Sequence, residues 1–412
     1  MEQRNVAGLE PRKTFAALSY PNYRLWFVGQ MVSLFGTWMQ TTAQGYLVYE
    51  LTRSEAYLGY VGFASGAATW AFTLYGGAVA DRVPRRNLIV VTQALSMLLA
   101  FVLAALSFLH VVAPWHIVAL AFLLGVVNAF DAPARQSFVL EMVERPVLTN
   151  AIALNSTMFN TATAIGPAVG GLTYAYFGPA WCFAINGLSF LAVIAALLAM
   201  RLPAWAPPTR RRSTFGEIRE GLQAVRADRR ILAIILLMAA VSLFGMSFAT
   251  LIPAWAVQIL HGDSRVNGFL QSARGIGAVS AALWIASVAH RRLKGRTITA
   301  ASFAFPVALI LLSLTRTLPL SLLAIFGVGA ANIINNNLAN ALVQTLTPDA
   351  VRGRVMSIYM LSFFGFMPIG ALFAGQLASV AGVPATVAVG AAGTFLCALA
   401  VAVFVPSVRR LD

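Results

Sequence analysis

A few polar side chains stand inside long apolar runs, and any chemistry in this 412-residue sequence has to be done there. Thr37, Gln40, Thr41 and Gln44 recur at three- and four-residue spacing, so a helix gathers them on one face. Asn332, Asn336, Asn340 and Gln344 repeat the pattern, with Asn335 and Asn337 beside them. Such amide-rich faces can hydrogen-bond a polar solute, or they can bond one helix to another. Arg274 is the one charge well inside an apolar run. It needs an anion, backbone carbonyls, a water-filled cavity or a carboxylate such as Glu50. Asp131 and Glu50 close two of the runs, and Asp131 is a candidate salt-bridge partner for Arg85 or Arg86. His110, His116, His261 and His290 fall at loops or run edges and read as interfacial. Cys182 and Cys397 lie within apolar runs and read as small hydrophobes. No metal-ligand cluster or nucleophile–base set emerges, so neither an enzyme nor a cofactor is expected.

The elements that must position these residues are set by composition. The chain is 59% hydrophobic and 10% charged. A soluble domain carries about 25% charged residues, so most of this surface must face lipid. About 20 apolar residues cross about 30 Å of hydrocarbon as a helix. Twelve spans are expected, near 25–48, 57–80, 87–109, 115–131, 150–176, 180–200, 231–257, 267–289, 297–315, 319–343, 354–379 and 383–405. The segments are too long and too continuously apolar for a barrel. The net charge of +15 comes from arginines in short runs between the spans, a layout that points away from nucleic acid. Arg82, Arg85 and Arg86 follow the second span, and Arg135 and Arg145 the fourth. Arg210 to Arg212, Arg219, Arg226, Arg229 and Arg230 follow the sixth. Arg291, Arg292, Lys294 and Arg296 follow the eighth, Arg352 and Arg354 the tenth, and Arg409 and Arg410 the twelfth. Opposite loops offer Arg53, Arg265 and Arg316. This bias predicts both termini in the cytoplasm. Residues 1–20 are polar, so no cleavable signal peptide is expected.

The longest polar stretch, 201–230, divides the chain into six-helix halves at 1–200 and 231–412. Pro203, Pro207 and Pro208 end the sixth run, and Thr214 with Glu217 forms a capping box. Phe215, Ile218, Leu222 and Val225 then predict an amphipathic helix on the cytoplasmic surface. The halves carry a faint repeat. Asn128, Gln136 and Glu141 match Asn336, Gln344 and Asp349 in spacing. Two such repeats with a substrate site between them form a transporter architecture.

The most specific segment runs Gly77-Ala-Val-Ala-Asp81-Arg82-Val-Pro84-Arg85-Arg86. It resembles the loop signature of the major facilitator superfamily, with Pro84 standing where the family pattern has glycine. Gly77 lets a neighbouring helix approach, and Asp81 at a membrane edge seeks a cation or a helix N-terminus. A second segment, Gly166-Pro167-Ala-Val-Gly170-Gly171, is similar to the superfamily's antiporter motif. Pro167 bends its helix, and the glycines allow tight packing. The stretches 36–44, Asp131 to Gln136 and Pro348 to Arg354 resemble the branch of siderophore, drug and macrolide efflux permeases.

That resemblance covers nearly the whole chain and implies an all-α major facilitator fold in a bacterial inner membrane. It implies a monomeric exporter that exchanges a drug- or siderophore-like small molecule for protons, with import of a sugar or other metabolite as the alternative. Gly77, Asp81, Arg82, Arg85, Arg86 and Asp131 would form a cytoplasmic latch between the halves. Gln40, Gln44, Asn128, Arg274, Asn332, Asn336 and Asn340 would line the cavity. No residue stands out in the sequence as the proton carrier.

Overall fold

The computed structural model describes residues 15–202, 214–288 and 294–411, without the side chains of 214–218 and Val288. The expectations for Arg210 to Arg212, His290, Arg291, Arg292, Pro203, Pro207, Pro208 and the side chains of Thr214, Phe215, Glu217 and Ile218 lie outside the described residues. What is described is almost wholly helical, because backbone in hydrocarbon must satisfy its own N–H and C=O groups.

The first group comprises α1 (Pro21–Thr52), α2 (Glu55–Ala80), α3 (Arg85–Phe108), α4 (Pro114–Met142), α5 (Leu148–Phe177) and α6 (Pro179–Ala199). A short α7 (Thr214–Ala227) follows. The second group comprises α8 (Arg229–Ile259), α9 (Ser264–Val288), α10 (Lys294–Leu314), α11 (Leu318–Leu346), α12 (Arg352–Ala381) and α13 (Val383–Phe404). Proline in the first turn starts α1, α4, α6, α11 and α13, where its missing N–H costs no helical bond. Asp228 caps α8 by accepting the Arg230 N–H at 2.8 Å, and the Arg230 guanidinium beside it holds its carboxyl below the usual range. α8 is irregular beyond Ala240: it widens to π-geometry over Val241–Gly245, tightens over Met246–Leu251, and widens again over Trp255–Ile259. Departures of this kind inside a helix mark hinges.

Among the described residues, eight helices are long and apolar enough to cross a membrane: α3, α4, α6, α8, α10, α11, α12 and α13. Twelve spans were expected, and the shortfall has a physical cause. α1, α2, α5 and α9 are long enough, but Gly, Ser, Thr, Asn and Gln are interspersed along them. All four pack on other helices, and at such contacts small and polar residues pack and hydrogen-bond better than large apolar ones. The lipid-type surface is plain elsewhere: Val380 is 88% exposed and Phe404 81%. Each helix group packs internally, α1 on α6, α3 on α6 and α2 on α4, then α9 on α11, α10 on α11 and α10 on α13. The two groups meet along two seams, α2 against α12 and α5 against α9. α7 lies against the start of α12, where Gly221 packs on Arg354 and Glu220 pairs with its guanidinium. Val225 of α7 is buried, while Leu222 is exposed.

Candidate functional site

The seams are closed at one end of the bundle. Gly59 of α2 lies against Gly375 of α12, so close that a Cβ on Gly375 would sit 2.8 Å from the Gly59 Cα. Gly171 of α5 lies against Gly268 of α9 in the same way, at 3.1 Å. Hydrogen bonds cross beside these contacts. The Ala168 N–H donates to Ser272 Oγ at 2.9 Å, and Ser264 Oγ donates to the Gly171 carbonyl at 3.1 Å. Asn267 Nδ2 donates to the Thr42 carbonyl at 3.4 Å, and Gln376 Nε2 to the Tyr60 hydroxyl at 2.9 Å. The segment 166–171 therefore sits where it can control the seam. Gly166 and Gly170 take α1 at Trp38 and Met39, while Gly171 takes α9. Pro167 cannot donate to the Thr163 carbonyl one turn back, and the backbone of Gly275 closes on that oxygen.

The other end of the bundle is open. Along α2 the seam follows Gly59, Gly62, Gly66 and Trp70, opposite Gly375, Ala371, Pro368 and Gly365. Beyond it, Ala71 to Tyr75 are exposed, and nothing lies within 4 Å of where a Cβ on Gly77 or Gly353 would stand. Asp81 and Arg82 are exposed, and Asp81 has no ion-pair partner among the described residues. Arg85 pairs with Glu141 at 2.6 Å, not with Asp131. Asp131 is 3% exposed and accepts from Thr92 Oγ1 at 2.6 Å, from Gln93 Nε2 at 3.0 Å and from Arg135 one turn on. That corrects the pairing with Arg85 or Arg86 read from the sequence: the nearer cation is on Asp131's own helix. Arg86 reaches the Leu198 carbonyl at 3.4 Å.

The amide faces divide on inspection. Gln40 is buried and accepts from Asn186 Nδ2 of α6 at 2.7 Å, so its amide serves the first helix group. Thr37 and Thr41 donate to carbonyls of their own helix, and Gln44 is buried beside them. On α11, Asn335 is fully buried and donates to the Ala301 carbonyl at 3.1 Å. The side-chain oxygens of Asn332 and Asn335 are buried without a partner, Asn336 and Asn340 are half-buried, and Gln344 donates to Asn340 at 2.6 Å. Asn128 of α4 is half-buried. Arg274 sits ten residues into α9, about 15 Å from its start at 1.5 Å per residue. Its carbonyl packs on Gly329 of α11, the residue is half-buried, and its guanidinium has no ion-pair or hydrogen-bond partner among the described residues. Glu50 is not its partner, since that carboxylate takes the Tyr174 hydroxyl.

One polar pair at the closed end was missed from sequence. Glu55, the first residue of α2, is 7% exposed, and Gln258 Nε2 of α8 donates to its Oε1 across the seam. An acid at a helix start ordinarily reads as a solvated cap, and nothing in its neighbours along the chain betrays the burial.

Two helix groups that meet along two seams, shut at one end and parted at the other, have the architecture of a membrane transporter. Comparison with known proteins agrees. The family profile described as transmembrane secretion effector matches residues 12–412, and the chain belongs to that major facilitator family. It is 24% identical to the Staphyloferrin A transporter of Staphylococcus aureus, over 88% of this chain and 91% of that one. It is 28% identical to the multidrug efflux pump Tap of Mycolicibacterium fortuitum, over 82% and 85%. It is 25% identical to the enterobactin exporter EntS of Shigella boydii, over 88% and 86%. Among solved structures, a POT peptide transporter superposes with a TM-score of 0.77 at 14% identity, covering 98% of this chain and 100% of that one, a likeness of fold. The chain is a multi-pass transporter of the major facilitator type.

Proposed function

We propose that this protein exports a drug- or siderophore-like small molecule across a bacterial inner membrane, in exchange for protons and as a monomer. Twelve spans in two pseudo-repeats, 1–200 and 231–412, are joined by the segment 201–230, and both termini are cytoplasmic. The observation that carries the reading is the pair of seams closed at the Glu55 and Gly171 end and parted at the Asp81 end. That is one of the two conformers alternating access requires, here open to the cytoplasm. The arginine-rich loops lie on the open side, which supports the orientation. The secretion-effector family and the siderophore and multidrug pumps among its relatives support export. The seat of Gly166 to Gly171 in the seam supports exchange over import.

The test is a deletion strain challenged with drugs, dyes and siderophores, with and without a protonophore. Export predicts that one compound accumulates in the deletion strain and, under protonophore, in the parent. Loss of uptake of a sugar with no accumulated toxin would mean import. Within this reading the cavity takes Gln44, Asn128, Arg274, Asn332, Asn336 and Asn340 as its polar lining, with Gln40 behind it. Arg274→Ala is expected to lower export of anionic compounds about tenfold or more, a loss of one charge-assisted contact. Equal losses for cationic and anionic compounds in competition assays would make Arg274 a structural anchor.

A further inference from the structure

We propose that the start of α10 and the turn after α13 together bind the headgroup of an anionic phospholipid, in the leaflet at the Asp81 end. The site requires that the chain spans a membrane and is independent of what it exports. Beyond α13 the chain forms a 3₁₀ turn over Pro406–Arg410, which packs on α10. The Gly295 N–H donates to the Leu411 carbonyl at 2.8 Å, and a Cβ on Gly295 would run into the Val408 carbonyl. Only glycine lets two backbones come that close. Lys294 and Arg296 flank this contact on one side, and Arg409 and Arg410 lead into it on the other. Arg296, Arg409 and Arg410 are exposed, and Lys294 is half-buried. None of the four has an ion-pair or hydrogen-bond partner among the described residues.

Like charges gathered in this way repel one another. The first turn of α10 adds the positive end of its dipole and contains no acid. The described acids of the second helix group at this end are taken elsewhere. Asp228 pairs with Arg230 and Asp349 with Arg352, while Glu220 of α7 pairs with Arg354. Tight backbone packing therefore holds a concentration of positive charge that an anion from outside the chain would relieve. A phosphodiester suits it, because the planar donors of arginine match phosphate oxygens in pairs.

Position selects a lipid over a free ion. Val403 and Phe404, just before the turn, are large, apolar and exposed, so they meet acyl chains. Arg409 and Arg410 follow within a few residues, at the level of the headgroups. On α10, Arg296, Ala300, Ala304 and Val307 recur at four- and three-residue spacing, and all are exposed. The two alanines leave room along the helix for an acyl chain whose headgroup lies on Arg296.

The experiment uses the full chain in nanodiscs of phosphatidylglycerol and phosphatidylcholine in equal amounts. Lipid retained on the released protein is counted by native mass spectrometry. On the wild type, phosphatidylglycerol should exceed phosphatidylcholine about tenfold, since each basic side chain near the surface favours anionic lipid several-fold. Arg296→Gln, Arg409→Gln and Arg410→Gln together should remove most of that preference. Arg145→Gln, Arg201→Gln and Arg219→Gln together remove the same charge from exposed positions elsewhere at this end, and should leave most of it. Gly295→Ala keeps every charge but pushes α10 away from Val408, so the preference should fall several-fold. Equal losses in the two triple variants overturn the proposal, because the lipid would then be answering net charge. A wild type without preference overturns it, as does a Gly295→Ala variant with the wild-type preference. Inorganic phosphate that displaces the retained phosphatidylglycerol would make this a site for free anions and overturn it too. Should Gly295→Ala fail to insert, the two triple variants decide alone.

Discussion

In the Asp81→Asn variant, efflux is expected to fall at least about thirtyfold while membrane-inserted protein stays near the wild-type level. Asp81 is exposed, and it has no ion-pair partner among the described residues. Its backbone N–H bonds the Gly77 carbonyl at 3.1 Å, which an asparagine keeps. Nothing in the described conformer is lost, so folding has little reason to suffer. Under the proposed alternating access, the loss would fall on the opposite conformer, where the Asp81 ends of the two groups would meet and the loop from α2 would approach the start of α12. There a carboxylate would gain the N-terminal dipole of α12 and donors such as Arg354, which pairs with Glu220 of α7 in the present conformer. A charge-assisted bond contributes about 1.5–3 kcal/mol, and the dipole about 0.3–1 kcal/mol. Removing about 2 kcal/mol from one side of a two-state balance shifts it about thirtyfold. Initial rates of dye efflux per unit of inserted protein check this. Wild-type flux from Asp81→Asn would end the latch assignment, and a collapse of inserted protein would mean that the aspartate is structural.

How far the sequence reached is best judged residue by residue. The long apolar runs and their arginine-rich ends marked out the helices to within a few positions, because hydrocarbon demands both length and apolarity, except that α4 runs on from the expected 131 to Met142. The segments around Asp81 and around Gly166 stood out because their residue types are tied to local geometry. Partner choice across helices was another matter. Periodicity placed Gln40 on a polar face, but not the rotation of that face toward Asn186 of α6. Asp131 had cations in several loops to choose from, and its own helix plus Thr92 and Gln93 of α3 prevailed. Glu55 was illegible, because its burial is made by a glycine more than 300 positions away on α12. Contacts of that kind are set by packing between helices, on which a single helix's pattern is silent.

The second large effect concerns the closed seam. Gly171→Val is expected to reduce transport more than tenfold by barring the outer end from shutting, while the first helix group stays folded. A Cβ at this position would run into the Ser264 carbonyl and stand 3.1 Å from the Gly268 Cα. Both are backbone, so neither can swing aside as a flexible side chain would. The clash costs about 1–3 kcal/mol if the helices yield slightly, and more if they do not. The helices can instead part, which forfeits the Ser264 bond to the Gly171 carbonyl and the Ala168 bond to Ser272. Under the proposed alternating access, either route raises the energy of the described conformer alone, because the opposite conformer would separate α5 from α9 at this level. About 2 kcal/mol then moves the population about thirtyfold toward the outward-open side. A cysteine placed at Ser264 should become reactive to a membrane-impermeant maleimide from outside in Gly171→Val and stay protected with Gly171 in place. Gly170→Val is the control for simple misfolding, since its Cβ would strike Met39 of α1 within the same helix group. It should lower inserted protein without exposing Ser264. Equal protection of Ser264 in all three would mean that the Gly171 seam does not part during transport.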